Sequence, residues 1–160
     1  DLDRGRGSGG LCLDFREVLE ATEDCAVLGV DIPIGLPERG ARTCDGRARH
    51  LLGRKGSSVF PAPLRAVLRA KDWETACAIR HCIEGKRMGK QAFGIVPKVR
   101  QVDQLMTPGR QQRVREVHPE LCFRELNGGV PVFARKREAA GFELRRGLLK
   151  GVMPAFEALV

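Results

Sequence analysis

The apolar positions of this chain follow two rhythms. Ala26-Val-Leu-Gly-Val30 is a short unbroken apolar run of the kind that fills a strand buried on both faces, and Pro33 stops it by removing a backbone donor. Asp31 is left at the strand's end. Residues 113–117 give a second strand, whose period of two sets Val114, Glu116 and, just beyond it, His118 toward one side, with Pro119 opening a helix. Elsewhere the spacing is helical. Asp14 to Thr22 carries Phe15, Val18 and Leu19 behind a capping pair, Asp14 and Glu17. Arg42 to Gly53 turns Ala48, Leu51 and Leu52 inward, and Asp72 to Glu84 sets Ala76, Ile79 and Ile83 on one stripe between the cap Asp72 and Gly85. From Pro97 the stripe runs through Val99, Val102, Leu105 and Met106 to Thr107-Pro-Gly109. Leu121, Phe123 and Leu126 line a helix that stops at Asn127-Gly-Gly129, and Leu144, Leu148 and Leu149 mark a last one. The section between the two strands is therefore expected to be mostly helical. Near the start, the Gly-rich Arg4 to Gly10 passage before Leu11-Cys-Leu13 reads as a hairpin turn; a phosphate-cradling loop is the sharper alternative, but the Gly-Lys-Ser/Thr ending of such loops is missing.

Composition narrows the class. At 160 residues and 42% hydrophobic, the chain can bury one real core without disulfides or metal. No run reaches the roughly 18 apolar residues of a membrane span, and nothing at the start resembles a signal peptide, so a soluble cytoplasmic protein is expected. Six cysteines without a C-x-x-C pair read as small core residues of a reducing compartment. His81 with Cys77 and Cys82, or His118 with Cys122, lack the paired spacing of a zinc site. A formal charge of +8 favours polyanionic partners, nucleic acid first. The absence of tyrosine argues against an extended base-stacking platform. The chain opens on Asp1 and ends on Leu159-Val160, and it reads as a fragment.

Three stretches carry candidate chemistry. Asp31, held by a strand and followed by a Pro/Gly loop, is suited to hold a cation or polarise a substrate, and equally to cap the turn that follows. Arg42, Asp45 and Arg49 share one face of a basic helix, either as a binding face or as local ion pairs, and Arg54 to Pro63 mixes cations and hydroxyls in what is either a phosphate-binding loop or simply a loop. Glu116-x-His118-x-Glu120 stands at a strand-to-helix junction. Trp73 reads as a packing anchor before a base-stacking platform.

Taken together, Val30-Asp-Ile-Pro-Ile-Gly-Leu36, Arg47-Ala-Arg49 with Leu51-Leu-Gly-Arg54, Ser57-Ser-Val-Phe-Pro-Ala-Pro63, Gln91-Ala-Phe93, Pro97-Lys98, Glu116-Val-His-Pro-Glu120 and Leu126-Asn-Gly-Gly129 resemble a family of uncharacterised bacterial and archaeal proteins. It is catalogued as domain of unknown function 429 and described as a predicted nuclease of RNase H-like fold. The resemblance implies an α/β fold: an RNase H-like mixed central sheet of five strands flanked by helices, with the helical insertion between the Asp31 strand and the Glu116 strand. By family position Asp31 ends the fourth strand and Glu116 lies on or just after the fifth. It further implies metal-dependent hydrolysis of nucleic acid, with two Mg²⁺ or Mn²⁺ ions about 3.5–4 Å apart clamping the phosphodiester. The implied metal ligands are Asp31, Glu116 and Glu120, and the implied catalytic set is Asp31, Glu116 and His118, the histidine positioning water or moving a proton. Arg42, Arg49, Ser57, Ser58 and Lys98 would hold phosphate oxygens.

The chain departs from that pattern at both ends. A first strand of the form Gly-x-Asp-Gly and a closing Asp-bearing helix are not found, so residues 1–160 are expected to form a single RNase H-like domain, incomplete at both ends, that binds metal poorly alone. Two alternatives stand beside the nuclease: a non-catalytic nucleic-acid- or protein-binding module on the same fold, and a hydrolase of small phosphorylated or nucleotide substrates.

Overall fold

The computed structural model describes residues 9–153, so the Arg4 to Gly10 turn lies mostly outside the described residues. The chain is a mixed α/β protein, mainly helical, with a two-stranded parallel sheet among the described residues. Its described residues divide into two compact units: Cys12–Ala48 with Val59–Val117, and Arg49–Ser58 with residues 118–153 and 9–11. Among the described residues no helix is long and apolar enough to cross a membrane.

In the first unit, α1 (Phe15–Ala21) is started by Asp14, whose carboxylate accepts from the Arg16 and Glu17 amides at 2.8 and 3.0 Å. Glu17 reaches back to the Leu13 amide at 2.7 Å, so the predicted capping pair forms with its return bond one residue upstream. Leu11 to Leu13 form no strand, and both leucines are exposed. Strand β1 (Leu28–Val30) is shorter than the apolar run that predicted it. Ala26 and Val27 are exposed, and Leu28 and Val30 are only half-buried, because β1 has one ladder partner among the described residues instead of a neighbour on each side.

Helix α2 (Thr43–Leu52) buries Leu52 completely but leaves Leu51 exposed, so the predicted inward face is narrower by one residue. Helix α3 (Trp73–Glu84) begins where Asp72 accepts from the Thr75 amide at 2.7 Å and ends at Gly85, whose φ of 69° only glycine adopts without strain. Two short helices flank the longer α5: α4 (Lys90–Gly94) precedes α5 (Val96–Leu105), and α6 (Pro108–Gln111), capped by Thr107, follows where the sequence predicts only a stop. Strand β2 (Val114–Glu116) then pairs with β1 in parallel, Leu28 opposite Val114 and Val30 opposite Glu116.

The predicted stripe on α5 links both halves of this unit's core. Val96 and Val99 pack with Val67, Leu68 and Ala76, whereas Val102 packs with Phe15 and Val114 beneath the strands. Arg100 fastens α5 to the 3₁₀ helix Arg65–Arg69 and the residue after it by donating to the Leu68 and Ala70 carbonyls at 2.6 and 2.9 Å.

In the second unit, α7 (Pro119–Leu126) opens on Pro119 and closes at Gly128 and Gly129, both at positive φ, as predicted. It packs on α8 (Ala139–Val152). Arg145 of α8 is buried: it donates to the Ala134 and Gly141 carbonyls at 3.0 and 3.1 Å and to the Glu120 carboxylate at 2.9 Å. Position 141 admits only glycine, since a Cβ there would sit 2.1 Å from the Arg135 carbonyl oxygen.

The Thr75 hydrogen bonds hold the Asp72 carboxyl below its ordinary value of 3.8, so this cap stabilises the fold above that pH and is lost as pH falls through the lowered value. Asp72→Ala is therefore expected to lower the thermal midpoint at neutral pH, with the gap to wild type closing in acid. A gap that stays constant across the pH series would refute the cap.

Candidate functional site

Both strands of the parallel pair point their carboxyl ends the same way, and an acidic residue stands at each: Asp31 directly after β1 and Glu116 as the last residue of β2. The two acids differ in their surroundings. Asp31 is exposed, in a bend, without a hydrogen-bond or ion-pair partner among the described residues. Glu116 is held. Its Oε2 accepts from the Ile34 amide at 2.8 Å and from Arg42 Nη1 at 2.7 Å, and its Oε1 accepts from Arg42 Nη2 at 2.8 Å.

Arg42 precedes α2 and is the centre of this arrangement. Its Nε and Nη2 also donate to the two oxygens of Asp45, at 3.2 and 2.5 Å, and Nη1 donates to the Ile34 carbonyl at 3.0 Å. All five N–H groups of the guanidinium are thereby used. The side chains of Arg42 and Asp45 are only 8% and 5% exposed, and that of Glu116 is 31% exposed. Burial works against the arginine's charge, but the hydrogen bonds to Glu116 and Asp45 and their negative charges outweigh it, keeping the guanidinium pKa above its ordinary range. Asp45 is tied further by the Ala62 amide at 3.3 Å. Sequence spacing had set Arg42 and Asp45 on one helix face, but no local signal announced that Arg42 is also held by Glu116, 74 residues away.

The remaining candidates are dispersed. Lys98 is exposed on α5 of the first unit. Arg49, Ser57, Ser58, His118 and Glu120 all belong to the second unit. There, Ser58 donates to the Lys55 carbonyl at 2.8 Å, and Glu120 is ion-paired to Arg145. His118 Nε2 lies 3.3 Å from the Ser58 carbonyl oxygen, and Nδ1 is buried without a hydrogen-bond partner among the described residues. A hollow of about 130 Å³ in the first unit is lined by Asp14, Phe15, Arg16, Gln101, Gln104 and Leu105, none of them a candidate.

The donor chemistry at the strand ends fits a hard divalent cation in kind, since both groups are carboxylates. It falls short in number of the two-metal cage implied by the family resemblance. Among the described residues, no three or more His, Cys, Asp or Glu come together in a metal-holding group. Three acceptor positions of Glu116 are already filled, and Glu120 is engaged by Arg145.

This arrangement defines a mixed α/β protein with an anionic site at the carboxyl ends of a parallel strand pair. The chain belongs to the family described as "protein of unknown function (DUF429)", whose model it matches over residues 4–159. No curated protein and no solved structure matches it.

Removing Arg42 leaves Asp45 buried without its counter-charge. Arg42→Met is expected to destabilise the protein by about 3–5 kcal/mol in urea unfolding, and Arg42→Lys to recover only part, because an ammonium cannot serve two carboxylates bidentately. A loss below about 1 kcal/mol for the methionine variant would show that the network is incidental to the fold.

Proposed function

We propose that this protein is a phosphodiesterase of RNase H-like fold that acts on nucleic acid and uses Mg²⁺ or Mn²⁺. The observation that carries the reading is the pair of carboxylates at the shared carboxyl end of adjacent parallel strands, which is where open α/β sheets present their ligand-binding groups. A formal charge of +8 suits a polyanionic substrate, and cysteines that are all free suit a cytoplasmic setting.

Roles follow from the contacts. Asp31 is the open carboxylate, available to a cation or to a water molecule. Glu116 is the oriented one, because Arg42 and the Ile34 amide fix both of its oxygens. Arg42 is then a positioning residue and not a phosphate ligand, since a phosphate could reach it only by displacing Glu116 or Asp45. A bound divalent ion would supply water activation and charge neutralisation at the phosphodiester.

A non-catalytic nucleic-acid-binding module is the second reading. The engagement of Glu116 by Arg42 favours it, because the same contacts describe a carboxylate kept for architecture.

Cleavage assays on DNA, RNA and hybrid substrates with Mg²⁺ and Mn²⁺ separate the two. The hydrolytic reading expects turnover that falls by roughly 100-fold or more in Asp31→Asn, the scale of losing one positioned catalytic group. Absence of cleavage under every ion condition, or an Asp31→Asn protein as active as wild type, would remove it.

A further inference from the structure

We propose that the stretch from Lys86 to Lys90 at the start of α4, together with Trp73, is a docking surface for the phosphate backbone of nucleic acid. The inference rests on the nucleic-acid reading above and adds to it a place, remote in sequence from the acidic pair, where the polyanion is gripped.

The loop is anchored at its middle and basic on either side. Gly85 ends α3 in the left-handed region, and Met88 is then 3% exposed, packed into the core. Its carbonyl accepts from the Trp73 indole N–H at 2.8 Å and from the Cys77 thiol at 3.5 Å. Two bonds to α3 thus fix the loop, while Lys86, Arg87 and Lys90 are all exposed around the anchor.

Two of these cations share one ring. The Arg87 guanidinium carbon lies 5.3 Å and the Lys90 Nζ 5.0 Å from the centroid of Trp73. Lys86 interacts with the Glu84 carboxylate, but Arg87 and Lys90 have no carboxylate within ion-pair distance among the described residues. Bringing two like charges to one indole is repulsive, and the ring quadrupole compensates only in part. A phosphate diester completes the balance. The cations keep N–H groups available for charge-assisted hydrogen bonds, and stacking on the ring already restricts side chains that would otherwise lose rotamer freedom on binding.

Trp73 is the single tryptophan of the chain, so its emission reports on this surface directly. The protein would be titrated with unlabelled single-stranded and duplex oligonucleotides in EDTA, following Trp73 fluorescence, and in parallel with labelled ones by anisotropy. We expect a saturable change in Trp73 emission that tracks binding. In the double variant Arg87→Glu/Lys90→Glu, affinity should fall at least about tenfold, and the slope of log K against log salt should become shallower by roughly 1.5 to 2, the signature of two lost phosphate contacts. Binding with an unaltered Trp73 signal and an unaltered salt slope in the double variant would overturn the proposal. So would a surface that takes mixed phosphatidylcholine and phosphatidylserine vesicles but no oligonucleotide. The two proposals fail separately: an intact Trp73 response without metal-dependent cleavage removes hydrolysis and keeps the surface, and cleavage without a Trp73 response does the reverse.

Discussion

The guanidinium of Arg42 ties together parts of the first unit that the sequence keeps far apart. Its donors reach the loop at Ile34, the first turn of α2 at Asp45 and the end of β2 at Glu116, and Asp45 passes the connection on to the amide of Ala62. Two carboxylates face one cation, so the cluster carries a net negative charge. A fully buried group with that imbalance would be costly, and the structure resolves it by geometry: Asp45 is sealed, whereas Glu116 keeps a third of its side chain in solvent. The excess charge thereby stands at the end of β2, and the exposed Asp31 follows the end of β1. The contact that stabilises the unit also places negative charge at its strand ends.

The second unit solves a similar problem with the same chemistry. Arg145 gathers the carbonyls of Ala134 and Gly141 and the carboxylate of Glu120, much as Arg42 gathers Ile34, Asp45 and Glu116. Arg100 and Arg113 likewise donate to backbone carbonyls, Arg113 to that of Thr22 at 2.5 Å. Lysine has neither the planar fork nor the number of donors for these tasks. A share of the chain's arginine is therefore structural, and the formal charge overstates what is offered to a partner. The cations that bear on recognition are those without internal acceptors.

What the sequence made legible was local. The caps at Asp14 and Asp72, the helix start at Pro119, the stops at Gly85 and Gly128, and the stripe of Val99 and Val102 each depend on residues within one or two turns, and each is where the spacing placed it. The end of β1 before Asp31 was legible for the same reason. Extents that depend on distant partners were not: an apolar run of five residues became a three-residue strand, and Leu51 turned outward while Leu52 turned in. Of the candidate site, the strand-end acids were readable from pattern. The role of Arg42 was not, because a basic residue reads as a free cation until its acceptors are known, and Glu116 lies beyond any local window.

The charges of the first unit also constrain how it can meet a polyanion. Asp31 and Glu116 set negative charge at the strand ends, while Arg87 and Lys90 set positive charge at the α3–α4 loop, so a polyanion would be favoured at one part of the unit and disfavoured at another. Contact at the acidic edge would require that its charge be neutralised first, and in the proposed reading a divalent cation would do so. Under that reading, affinity for the cation and affinity for the polyanion would be thermodynamically linked at the acidic edge, whereas binding at the basic loop would carry no such condition. The response of a nucleic-acid contact to divalent ions would therefore assign it to one place or the other, whether or not any bond is broken.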